Sequence, residues 1–94
     1  MIIAVDFDGT LWIDGKPNSG LIRNLVMQQR RGNTVILWSC REGSQLQEAV
    51  SLLREQGFVP DYVNRNAPAA LRMMGHESRK IYADLYIDDK SVRV

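Results

Sequence analysis

Four apolar residues, Ile2-Ile3-Ala4-Val5, form an unbroken run that breaks off at Asp6-Phe7-Asp8-Gly9-Thr10. A continuous run of this length predicts a strand buried on both faces, as in a parallel sheet beneath helices. Leu11 to Lys16 then makes a short excursion, with Trp12-Ile13 ahead of the hairpin signal Asp14-Gly15, and reads as a small β-flap. Pro17-Asn18-Ser19 opens a helix with Asn18 or Ser19 as N-cap. Its apolar face is Leu21, Ile22, Leu25 and Val26, and Gly32 stops it behind Arg30 and Arg31. Thr34 to Trp38 is a second buried strand, ending in Ser39-Cys40-Arg41. Ser44 and Gln47 form a capping-box signature for a second helix. Leu46, Ala49, Val50, Leu52 and Leu53 face the sheet from it, and Gly57 ends it. Phe58 to Val63 is a weaker strand interrupted by Pro60, which predicts an edge position. Asn66 and Pro68 open a short third helix holding Leu71, Met73 and Met74 and stopped by Gly75. Ala83 to Ile87 is the last strand, ending in Asp88-Asp89.

This alternation predicts an α/β fold, a three-layer Rossmann-like parallel sheet of strand order 3-2-1-4. The 94 residues make one domain, 1–94, with no insertion long enough for a cap domain. Five residues follow Asp89, so the fourth strand is expected to be a bare edge that a second copy of the chain could cover as a homodimer.

Composition narrows the function classes. A net charge of +1 gives no bulk attraction to nucleic acid or anionic membranes. Nine of the twelve basic residues are arginine, which suits phosphate or carboxylate contacts. Cys40 is the single cysteine, which excludes an intramolecular disulfide and predicts a reducing, cytoplasmic location. No stretch approaches the ~20 apolar residues of a membrane span, and no leader pattern is visible.

Three strand ends carry chemistry: Asp6 and Asp8 on the first, Ser39 on the second, Asp88 and Asp89 on the fourth. In a parallel sheet these ends share one edge, where α/β folds bind ligands. Asp-x-Asp-Gly alone reads equally well as a solvated turn; the second acidic pair and Ser39 in register outweigh that reading. Four carboxylates together require a cation, and an all-oxygen donor set favours Mg²⁺ over Ca²⁺ or Zn²⁺. Gly9, Thr10, Cys40 and Arg41 flank these residues and are placed at the substrate, Arg41 with a solvated loop residue as its competing reading. Trp12 either stacks on a substrate ring or packs the flap onto the core. Trp38 and Cys40 are expected to be buried, Asn64 and Arg65 are weaker pocket candidates, and His76 reads as a surface or capping residue.

Taken together, Asp6-Phe7-Asp8-Gly9-Thr10, Ser39, Lys80 ahead of the last strand and Ile87-Asp88-Asp89 resemble the four motifs of the haloacid dehalogenase-like phosphatases, closest to small capless bacterial and phage hydrolases. The resemblance covers essentially the whole chain. It implies Asp6 as the nucleophile that becomes an aspartyl-phosphate and Asp8 as general acid and then base. Ser39 would donate its hydroxyl and backbone N–H to the phosphoryl oxygens, and Lys80 would neutralise charge, with Lys90 an alternative. Asp6, the main-chain carbonyl of Asp8, Asp88 and Asp89 would hold Mg²⁺. The expected activity is hydrolysis of a phosphomonoester on a small molecule, a nucleic-acid end or a phosphoprotein. The competing readings are a phospho-acceptor signalling module and a non-catalytic binding protein with a retained acidic metal site.

Overall fold

The computed structural model describes residues 1–68, 82–89 and 92–93. In chain order its elements are β1 (Ile2–Val5), β2 (Trp12–Ile13), β3 (Lys16–Pro17), α1 (Ser19–Arg30), β4 (Thr34–Leu37), α2 (Gly43–Glu55), β5 (Tyr62–Val63), β6 (Leu85–Ile87) and β7 (Val92–Arg93). Four strands run parallel in the order β5-β4-β1-β6, the order expected from the sequence.

Register explains the core. Ile3 lies opposite Val35 and Leu85, and Val5 opposite Leu37 and Ile87. These residues share one face and pack with Ile22 and Leu25 of α1 and Ala49 and Leu53 of α2. The steps from β1 to β4 to β5 go in one direction, so crossovers of one hand put both helices on that face. On the other face Ala4 and Ile36 are only 3% and 0% exposed. A strand enclosed on both sides has no polar face to present, which is why β1 and β4 carry no alternation.

The flap forms as expected. Trp12 pairs with Pro17 and Ile13 with Lys16 in antiparallel register. Asp14 and Gly15 turn at φ 51° and 76°, the pair of left-handed residues that a tight hairpin needs. Asn18 caps α1, its Oδ1 accepting from the Leu21 N–H at 3.5 Å. Its side-chain amide also donates to the Thr10 carbonyl at 3.1 Å, so one residue both starts the helix and roots the flap.

Four expectations need correction. The free edge of β6 is not bare: β7 pairs with it antiparallel, Tyr86 opposite Arg93. The capping box at Ser44 does not form, because the chain turns at Gly43 with φ 55° and enters α2 two residues earlier, behind Glu42. The third strand is only Tyr62–Val63; Phe58 and Pro60 are buried ahead of it without pairing. The last strand begins at Leu85, and Asp84 instead accepts from the Ile2 N–H at 2.7 Å. Leu71, Met73, Met74, Gly75 and His76 lie outside the described residues. Among the described residues no helix is long and apolar enough to cross a membrane.

Candidate functional site

The loop after β1 is wound around one carbonyl. Phe7 O accepts from the N–H groups of Thr10, Leu11 and Trp12 at 3.2, 3.0 and 3.0 Å, and Gly9 N–H returns to Trp12 O at 2.9 Å. This tight coil needs Gly9 at φ 76°. A Cβ on Gly9 would stand 3.2 Å from Cβ of Asp89, so the loops after β1 and β6 meet at this glycine. Phe7 is fully buried and stacks on Trp12 with ring centroids 5.7 Å apart. That contact packs Trp12, and with it the flap, onto the core.

A cleft of about 230 Å³ opens where β1, β4 and β6 end, and Asp6, Asp88, Trp38, Cys40 and Tyr86 are among its walls. Asp6 is half-buried there, its backbone N–H donating to Ile87 O at 3.0 Å. Burial pushes its carboxyl above the usual carboxylate range, and repulsion from Asp8, Asp89 and Asp88 adds to the rise. The Phe7 N–H, 2.8 Å from Oδ1, opposes it.

Asp8 lies in a different setting. Its side chain is 61% exposed and forked by Arg41, with Nε to Oδ2 and Nη2 to Oδ1 both at 2.9 Å. The hydrogen bonds from the guanidinium hold the Asp8 carboxyl below its ordinary value. Arg41 is itself fixed: its guanidinium carbon sits 4.8 Å from the centroid of the Phe7 ring, and Nη1 donates to Gln45 O at 3.2 Å.

Ser39 is half-buried, and its hydroxyl oxygen accepts from the Arg41 N–H at 3.1 Å. Its backbone N–H, expected to face a phosphoryl oxygen, instead donates to Asn64 Oδ1 at 2.7 Å. Asn64 takes φ 53° and donates its own N–H to Leu37 O at 2.8 Å. It is therefore a brace between the loops after β4 and β5. The signal for it in the sequence is an asparagine directly after a strand, a residue that tolerates the left-handed turn.

The structure brings Asp6, Cys40 and Asp88 to one cleft, sets Asp89 against Gly9 and pairs Asp8 with Arg41. Three expectations change. Cys40 is exposed, because the chain has already left the sheet at Leu37. Trp38 is only half-buried, as a wall of the cleft. Thr10 is 4% exposed with its hydroxyl buried and unpartnered, drawn inward by the coil around Phe7, so its side chain is not at the surface a substrate would meet. Lys80 and Lys90 lie outside the described residues.

Among the described residues no three or more Asp, Glu, His or Cys side chains stand together as a group that could hold a metal ion. Mg²⁺ requires fewer, usually one or two carboxylates completed by carbonyls, water and substrate phosphate. Asp6 and Asp88 on one cleft supply two, and repulsion between neighbouring carboxylates is the kind a cation relieves. The donor chemistry therefore fits a hard divalent ion.

No family model matches the sequence, and no curated protein does. Among solved structures, the conserved protein of Bacteroides thetaiotaomicron superposes with a TM-score of 0.82 at 38% sequence identity. The match covers 97% of this chain and 77% of that one. At that identity and coverage, the chain belongs to the same family as the conserved Bacteroides thetaiotaomicron protein.

Proposed function

We propose that this chain is a phosphohydrolase of the haloacid dehalogenase-like type, with a capless Rossmann-like fold and Asp6 as its nucleophile. The observation that carries the reading is the position of Asp6. It is a half-buried carboxylate at the end of the central strand, in a cleft it shares with Asp88. The sheet reverses its winding between β1 and β6, and open α/β sheets bind ligands at such a point.

The chemistry follows from the residues present. An Asp6 oxygen attacks phosphorus as the bond from phosphorus to the leaving oxygen breaks, giving an aspartyl-phosphate. Asp8, ionised while Arg41 holds it, takes up a proton from solvent and delivers it to the departing oxygen. It then takes one from a water that attacks the same phosphorus, which releases inorganic phosphate and restores Asp6. The Ser39 hydroxyl hydrogen, not used in accepting from Arg41, donates to a phosphoryl oxygen. Lys80 carries the balancing positive charge implied by the motif. Asp6, Asp88 and the Asp8 carbonyl would hold Mg²⁺, with Asp89 as a further ligand, direct or through water. When bound, the ion supplies charge neutralisation for the phosphoryl group. That neutralisation also favours the ionised Asp6 that attack requires.

Among the described residues the excursion between β1 and α1 is the short flap, Trp12–Pro17, which suits a phosphomonoester carried on a large or exposed group. The free, exposed Cys40 fits a cytoplasmic setting. The test is hydrolysis of an aryl phosphate with Mg²⁺ and with chelator. Turnover should require the metal, vanish in Asp6→Asn, and fall about 10²–10⁴-fold in Asp8→Asn. Metal-dependent turnover that survives Asp6→Asn would overturn the assignment.

A further inference from the structure

Arg41 performs no step in the reaction above, yet it is among the most firmly anchored charged side chains at the site. Its guanidinium lies 4.8 Å from the Phe7 ring centroid, and the ring is fully buried. Nη1 is tied to Gln45 O at 3.2 Å in α2, and its backbone N–H is tied to Ser39 Oγ at 3.1 Å. The two side-chain contacts, to Phe7 and Gln45, thus hold the guanidinium with its Nε and Nη2 edge turned to one place. The group now in that place is the Asp8 carboxylate, held through both oxygens at 2.9 Å.

The two partners are not equal. The Arg41 side chain is 26% exposed and Asp8 61%, so the cation is the more enclosed member and the carboxylate the one that solvent or an incoming anion reaches. A planar fork that fits a carboxylate fits two oxygens of a phosphate in the same way. A carboxylate with both oxygens bonded to a guanidinium is also turned away from proton delivery to a leaving group. An anion that displaced it would free it for that task.

We propose that Arg41 is a preformed phosphate fork, filled by Asp8 in the free protein, which passes to two phosphoryl oxygens when a phosphomonoester enters and thereby releases Asp8 toward the leaving oxygen. This rests on the phosphohydrolase reading and deepens it: Arg41 becomes a substrate contact that favours phosphate monoesters, whose terminal group offers the fork two charged oxygens.

The test is calorimetric titration of inorganic phosphate into the Mg²⁺-loaded protein, alongside aryl phosphate turnover. Arg41→Ala should weaken phosphate binding about 10- to 100-fold, the range of a charged, two-pronged contact. Arg41→Lys should recover only part of the loss, since an ammonium cannot fork. In the unmodified protein, the Arg41 Nε–H resonance should move on phosphate saturation as its acceptor changes; this needs no variant to fold. Unchanged affinity in a folded Arg41→Ala, or an Nε–H signal indifferent to phosphate, overturns the fork. If turnover persists in the unmodified protein under that result, the hydrolase reading stands alone. Phosphate binding through Arg41 without any turnover would keep Arg41 as a phosphate contact but end the hydrolase reading and, with it, the release of Asp8 toward a leaving oxygen. Absence of both binding and turnover would end both.

Discussion

Gly9 holds a conformation and a distance at once. Its φ of 76° suits a residue without Cβ, and an added Cβ would press on Asp89 at 3.2 Å. Gly9→Ala should therefore cost about 1–2 kcal/mol of stability from the left-handed backbone alone. It should also push the Asp89 loop outward and weaken Mg²⁺ binding. Urea unfolding and metal titration of the same variant check both; a stability within error of the parent would contradict the backbone cost, and an unchanged metal affinity the close approach. The neighbouring carboxylates show how far single residues can be read from sequence. Asp6 and Asp8 are two positions apart and look equivalent on paper. One is half-buried with its carboxyl pushed up, and the other is exposed with its carboxyl held down by a residue 33 positions away. No local pattern carries that difference, because burial and a long-range partner create it.

At the scale of elements, the strands that were legible are those whose burial is complete. β1, and β4 after Thr34, are apolar because both their faces are covered, and the flap was legible because Asp14-Gly15 names its own turn. β5 was overread because Phe58 and Pro60 are buried as fillers rather than as paired strand residues. The start of α2 was misread because Gly43 enters the helix by backbone turn, with no side-chain cap. Asp61 was invisible for a related reason. Its Oδ2 accepts from the buried Val35 N–H at 2.7 Å and from Gln29 Nε2 at 3.1 Å, clamping α1, β4 and the approach to β5 together. Asp61→Ala strands a strand amide and should cost about 1–3 kcal/mol, whereas Asp61→Asn, which keeps one acceptor, should cost less. The urea midpoint should fall with an unchanged slope; equal midpoints for Asp61→Ala and the parent would remove the clamp from the account.

For the whole molecule, the acidic site is a source of pH dependence. The Asp6 carboxyl is raised by burial from an ordinary 3.8. Between 3.8 and its raised value the folded chain binds more protons there than the unfolded chain, so this residue makes stability fall as pH rises through that window. Asp8 acts in the opposite sense: Arg41 lowers its carboxyl from 3.8, and the small stability of this exposed pair is present above that value and lost as pH falls through the lowered one. Asp6→Asn removes the first effect. Without metal it should be more stable than the parent at neutral pH, by about 0.5–1 kcal/mol, and the gap should close below pH 3.8. Thermal unfolding at both pH values checks this, and a gap independent of pH would contradict it. Such a cost in the free protein is what a carboxylate kept for covalent chemistry would impose, and the proposed chemistry has a direct test. The most direct measurement is to quench Asp8→Asn during reaction with a radiolabelled aryl phosphate, whose leaving group departs without protonation, and map the label by peptide sequencing. The account predicts acid-stable, hydroxylamine-labile phosphate on Asp6, accumulating because the water-activating carboxylate is gone. Label on another residue, or none while the unmodified protein turns over the same substrate, would contradict it.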